Sequence, residues 1–217
     1  KSEVVSIPNI NYQRYYTNVL QGGHGREDTI PKYKYILYID QSVFDSPDHN
    51  LLGLNTIDKD IFFSRINQFF ECVENVTGEK VVIAGSPKYR YRGHEYGGRE
   101  IIHNKTPELT YYSEMAIAHS TSAIDYAILA YKPLVLLQID GFSDNIVKVI
   151  HRYTHALQKT VLGSNEALDS AKLDLFSKVD RDLYDRYISN YITTESFSSS
   201  FVEVIIKKLG DRNKNTW

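Results

Sequence analysis

Four residues in a row, His119, Ser120, Thr121 and Ser122, separate the apolar run MAIA from a helical pattern reaching about Tyr131. An imidazole and three hydroxyls at the junction of a strand and a helix suit an anion. Backbone N–H groups at a helix start lack partners and carry the positive end of the dipole, and small hydroxyls add donors without blocking approach. The same residues fit a structural purpose, because Ser122 with Asp125 three residues on matches a capping box. From these residues alone both readings stand.

Other polar clusters also follow apolar runs. Asp40, Gln41 and Ser42 end the segment KYKYILYID, and Gly85, Ser86 and Pro87 end KVVIAGSP. In an open parallel sheet, ligands collect beyond the carboxyl ends of the strands, where such residues would meet. The segment Lys88–Glu100 reads as an exposed, mobile loop whose Lys88, Arg90, Arg92 and Arg99 could pair with phosphate. Its His94 and Glu95 are an acid/base candidate or a solvated pair. His103 and His119 stand at strand ends as phosphate donors or structural histidines. Glu108 and Asp125 could bond ribose hydroxyls or cap their own helices, and Lys105 is a further charge partner for phosphate.

Several chemistries are absent from the pattern. No Walker sequence occurs and no G-x-G-x-x-G follows a strand, which argues against a P-loop NTPase and a standard NAD-dependent dehydrogenase. Cys72 is the single cysteine, and the seven histidines lack ligand spacing. His151 and His155 lie one turn apart without the adjacent acid of a zinc protease, so no metal site is expected.

The elements that must position these residues follow from periodicity. KYKYILYID reads as a strand, and Phe62, Ile66, Phe69, Val73 and Val76 mark one face of a helix capped by Asp58 and stopped by Gly78. KVVIAG is apolar without alternation, as in a strand buried on both faces. EIIH, the helix TPELTYYSE, MAIAHS, the helix from about Ser122 and PLVLLQI follow in turn. This order implies an α/β fold, a Rossmann-like parallel sheet with crossover helices. From Asp144 to Lys208 the pattern turns helical, with candidates at 145–159, 167–178, 182–191 and 199–208, the last capped by Ser198–Ser200. The expected organisation is an arm or linker over 1–33, a Rossmann-like domain over 34–142, and a helical tail over 143–217 packed on it.

Bulk properties agree with a globular domain. The 217 residues are 42% apolar and 24% charged with a net charge of −2, which suits neither a disordered chain nor a nucleic-acid-coating one. No apolar stretch reaches the roughly 20 residues needed to span a bilayer, so membrane association is expected to be peripheral at most. The lone cysteine fits a cytoplasmic location. Lys1 in place of Met suggests a processed or trimmed chain.

Taken together, KYILYIDQ, the loop SPDHNLLG, FSRINQFFECVENVTG, KVVIAGSPKYRY, GGREIIHNKTPEL and AHSTSAIDYAILAYKPLVLL resemble the C-terminal, donor-binding half of bacterial GT-B glycosyltransferases of surface polysaccharide synthesis. Sialyltransferase-like and Kdo-transferase-like enzymes are the nearest relatives this suggests. The resemblance covers about Lys34 to Asp140. It implies that Pro87 matches a His-Pro pair after the second strand, with Ser86 where the family has histidine, and that Ser120, Thr121 and Ser122 match a serine motif beside the donor. The implied ligand is a nucleotide-activated sugar, CMP- or UDP-linked. Ser86 and Pro87 would lie at the nucleotide, His119 and Ser120–Ser122 at the phosphate, Glu108 at the ribose, and Arg99 or Lys105 would be secondary charges. No separate cofactor is implied, and a glycan acceptor would bind through another domain. The alternatives are a non-catalytic nucleotide-binding or interaction module, or an enzyme like a sugar-nucleotide epimerase.

Overall fold

The computed structural model describes residues 8–22, 27–45, 57–193 and 206. Six strands form one sheet: β1 (Tyr35–Ile39), β2 (Lys80–Gly85), β3 (Ile101–His103), β4 (Met115–Ala118), β5 (Leu134–Gln138) and β6 (Val161–Gly163). The spatial order is β3-β2-β1-β4-β5-β6, and every neighbouring pair is parallel. The chain order therefore reverses between β1 and β4. That reversal leaves a crevice at their carboxyl ends.

Period-two alternation sorts the strand residues between two cores. Ile36, Tyr38, Val81, Ile83, Ile117, Val135 and Leu137 point to one face, where they meet helix α2 (Lys59–Thr77). Tyr35, Leu37, Ile39, Val82, Ala84, Ala116 and Leu136 point to the other. That face is covered by α1 (Ile10–Tyr15), α3 (Thr106–Tyr112), α4 (Ile124–Leu129) and α7 (Arg181–Tyr187). Helix α5 (Asp144–Leu157) sends Ile146 and Ile150 to the first core and Leu157 to the second, and α6 (Ser170–Ser177) adds Leu173 and Phe176 to the first.

Helix α2 forms as its sequence dictates. The Asp58 carboxylate accepts the N–H groups of Asp60 and Ile61, and Gly78 ends the helix at φ +72°. Phe62, Ile66, Phe69, Phe70 and Val73 are buried along one stripe, each such side chain contributing about 1.5–3 kcal/mol by leaving water.

Two expectations need correction, and the first 33 residues include a packed arm rather than a bare linker. The 143–217 segment is not wholly helical, since β6 extends the sheet at its edge and the third tail helix runs into a π-helical turn at Ile188–Ile192. The arm contains α1, continued by a π-helical turn over Tyr16–Leu20, and Tyr12 and Tyr15 are buried against the second core. The loop 88–100 is packed rather than wholly exposed. Tyr96 is fully buried, and the Glu95 carboxylate accepts the backbone N–H groups of Arg92, Gly93 and His94 at 2.7–3.1 Å. Burial raises the Glu95 pKa, but those backbone donors outweigh it and hold the carboxyl below its usual range. The loop with Pro47 and Asp48 and the helix expected at 199–208, with its serine cap, lie outside the described residues apart from the helical Ile206. No helix among the described residues is long and apolar enough to cross a membrane.

Candidate functional site

A cavity of about 600 Å³ opens at the crevice between β1 and β4. Asp40 and Gln41 line it from the end of β1, Gly85 to Lys88 from the end of β2, and Thr121 to Ala123 from the loop after β4. Asn104, Thr106 and Pro107 close one side with the start of α3. Asn11, Arg14 and Asn18 close another from α1 and its continuation, with Tyr126 behind them. Its volume falls within the range of small-molecule sites.

The floor is a hydrogen-bonded network that fixes the strand ends. Asp40 is 5% exposed. Its carboxylate accepts the N–H of Ser42 at 2.9 Å and the hydroxyl of Tyr91, and that hydroxyl in turn accepts the N–H of Ser86 at 2.7 Å. Burial raises the Asp40 pKa, while the bonds from Tyr91 and Ser42 oppose the rise. Ser42, at φ +51°, places its hydroxyl 3.1 Å from that of Ser86, and Ser86 Oγ accepts the N–H of Lys88 at 3.3 Å. Across the crevice, the Ser120 hydroxyl donates to Gln41 Oε1 at 2.8 Å. The three loops are thus tied to one another before any ligand arrives.

Gly85 has a steric role here. A Cβ at this position would lie 2.8 Å from the His103 ring and 2.9 Å from Ile101 Cγ2. The β2 and β3 ends can therefore approach only with glycine there.

The serine motif divides. Thr121 and Ser122 reach the cavity, and Ser122 is exposed. Helix α4 begins later and ends earlier than its pattern suggests, and the capping box does not form. Thr121 Oγ1, not Ser122, accepts the Ala123 N–H at 3.2 Å. Asp125 turns away from the helix start. Its carboxylate accepts the side-chain N–H of Asn9 and of Asn11, each at 2.9 Å, and the Tyr187 hydroxyl at 3.2 Å. Asp125 thus joins the N-terminal arm to the tail, which a local pairing rule cannot anticipate.

Two expected site residues lie elsewhere. His119 is fully buried among Tyr38, Phe62 and Phe142. Its Nδ1 accepts the Ser120 N–H at 2.9 Å, which leaves the proton on Nε2, 2.7 Å from the Tyr38 hydroxyl. Desolvation lowers its pKa from 6.5 to about 3, so it stays neutral and turned into the core. Arg99 precedes β3 at the opposite end of the sheet. There its guanidinium bonds both Glu74 oxygens, the nearer at 2.6 Å, beside a second cavity of about 520 Å³.

Lys105 and Glu108 sit at the margin of the site, outside the cavity wall. Lys105 Nζ lies 2.8 Å from Glu27 and 3.5 Å from Glu108. Glu108 is 7% exposed, and its Oε2 has no hydrogen-bond partner. Of the expected residues, Ser86, Pro87, Thr121 and Ser122 line the cavity, while Ser120 braces it through Gln41.

Sequence reasoning missed Asn11, Arg14 and Asn18. Their spacing of three and four places them on one helix face, but the six-residue helix is too short to show a period. No group of three or more metal-ligating side chains occurs among the described residues.

No family model matches the chain, and no curated protein matches it in sequence. Solved structures do match. The Methanocaldococcus jannaschii UDP-GlcNAc 2-epimerase, solved in complex with UDP-GlcNAc and UDP, aligns at TM-score 0.55 and 12% identity, covering 95% of this chain and 54% of that one. The fold matches half of a GT-B protein. A glycosyltransferase of kitacinnamycin aligns at TM-score 0.43 and 12% identity over 85% of this chain and 47% of its own. The spinosyn forosaminyltransferase aligns at TM-score 0.36 and 9% identity over 88% and 47%. The chain spans about half the length of the structures it matches. At these identities the GT-B likeness rests on architecture, not on shared site residues.

Proposed function

We propose that this GT-B half binds the nucleotide part of an activated sugar, CMP- or UDP-linked, as the donor-binding half of a glycosyltransferase of surface polysaccharide synthesis. The observation that carries the reading is the cavity at the sheet's topological reversal, walled by three strand-end loops of small polar residues. Such a crevice is where open α/β sheets take ligands. Ser86 and Pro87 would meet the nucleotide, and Thr121 and Ser122 the phosphate. Backbone and hydroxyl donors fixed in advance would stabilise negative charge on a departing phosphate without reorganising.

The wall supplies binding groups but, among the described residues, no acid/base pair of carboxylate and histidine. Among the described residues Asp40 is its one carboxylate, held by Tyr91 and Ser42, and no histidine lines it. An epimerase-like reaction would need proton-transferring groups at the sugar. In this reading the present half binds and orients the donor, and a second half brings the acceptor.

A thermal-shift screen with CMP, UDP, GDP and their sugar conjugates tests the proposal. A ligand at about 100 times its Kd stabilises the fold by roughly 2.7 kcal/mol, so a cytidine or uridine nucleotide should raise the melting temperature by several degrees. If no nucleotide moves it at millimolar concentration, the assignment falls.

A further inference from the structure

A phosphate-binding site calls for a cation. Of those the sequence suggests, Arg99 and Lys105 are committed elsewhere, Arg90 and Arg92 do not line the cavity, and Lys88 lines it but already has a partner of its own. Arg99 is neutralised by Glu74 at the far end of the sheet, and Lys105 is neutralised by Glu27 and Glu108 outside the cavity. Ser86, on the wall, carries no charge. Arg14 remains. It is exposed, it lines the cavity, and no carboxylate pairs with it among the described residues.

We infer that Arg14, presented by the N-terminal arm, is the cation that recognises the phosphate groups of the ligand and sets the preference of the site for a nucleotide over a nucleoside. This rests on the nucleotide-binding reading and deepens it. The arm holds Arg14 in place through four hydrogen bonds. Asn9 accepts the Tyr12 N–H at 2.9 Å and caps α1, while Asn9 and Asn11 both donate to Asp125. Asn11 also donates to the Ser122 carbonyl at 2.9 Å, which pins the arm to the loop after β4. Arg14 stands one turn along the same face. Burial raises the Tyr126 pKa, and the adjacent Arg14 guanidinium opposes that rise, which places the cation beside the cavity's rear wall. A guanidinium offers a planar fork of donors that matches phosphate oxygens bidentately. A phosphate between Arg14 and the Thr121–Ser122 hydroxyls would meet charge from one side and neutral donors from the other.

Calorimetry on the full chain tests this with UDP against uridine, and CMP against cytidine, for the unsubstituted protein, Arg14→Ala and Arg14→Lys. One charge-assisted hydrogen bond is equivalent to about tenfold in affinity. Arg14→Ala should therefore weaken nucleotide binding at least about tenfold and leave the nucleoside unchanged, with Arg14→Lys between, because lysine keeps the charge but loses the fork. The melting temperature of each variant without ligand should match that of the parent. If Arg14→Ala binds nucleotide as the parent does, the inference falls while nucleotide binding stands. If the parent binds neither nucleotide, the underlying reading fails and this one with it.

Discussion

The two ends of the parallel sheet handle charge in opposite ways. At the amino ends of β2 and β3, Arg99 bonds both oxygens of Glu74, and its Nη1 also donates to Asn67 at 3.0 Å. At the carboxyl ends, the loops carry hydroxyls, backbone donors and Lys88, the arm adds Arg14, and the nearby Asp40 is absorbed into the floor by Tyr91 and Ser42. One end has closed its electrostatics on itself. The other leaves donors facing a cavity. Charge type alone therefore says little about function: Arg99, held by a carboxylate, braces the fold, while Arg14, with no carboxylate partner among the described residues, is the guanidinium proposed for recognition.

This contrast can be broken first at its strongest point. Replacing Thr121 and Ser122 together by phenylalanine fills the cavity wall and should abolish nucleotide binding, a loss of about 100-fold or more, while the far end keeps the domain folded. Titration calorimetry beside circular dichroism reads both. Next comes the floor. Tyr91→Phe removes the hydroxyl shared by Asp40 and the Ser86 N–H, leaving two buried groups short of a partner. The expected cost is about 2–3 kcal/mol in chemical unfolding, together with weaker binding as the β2 loop loosens.

At the opposite end, Arg99→Ala should cost about 1–2 kcal/mol because Glu74 loses its partner in a partly screened setting. Nucleotide affinity should not change. A binding defect in this variant would show that the two ends are not independent.

The smallest effect is the pH response of the core beneath the site. His119 is held neutral, its pKa lowered by burial from 6.5 to about 3. Its contribution is complete above about pH 6.5 and is lost as pH falls towards 3, since the unfolded chain then takes up a proton that the folded one refuses. The slope is roughly 1 kcal/mol per pH unit. Urea unfolding between pH 7 and 5 should show this slope, and His119→Gln should flatten it.

Much of the sheet was legible in the sequence because β1, β2, β4 and β5 are apolar on both faces and α2 carries a long stripe with both caps in place. Short elements were not. The three residues of β6 and the six of α1 give no measurable period, and α1 buries Asn11 and two tyrosines where a pattern rule looks for aliphatic side chains. The site was half legible for a related reason. Residues within three positions of a strand end, such as Ser86 and Thr121, are placed by the strand. Arg14 and Asn11 reach the cavity only because Asp125, more than a hundred residues later, receives the arm. His119, open in the sequence between phosphate donor and structural histidine, takes the structural place because a polar residue at a strand end can turn inward when a hydroxyl such as that of Tyr38 waits there.

Backbone amide shifts recorded while UDP or CMP is titrated into the isotope-labelled chain test the location most directly. The account predicts that the amides of Gly85, Ser86, Lys88 and Thr121 to Ala123 move together and saturate, while those of Gly97 to Glu100 stay still. Movement confined to the Arg99 end would contradict it, as would no movement at any concentration.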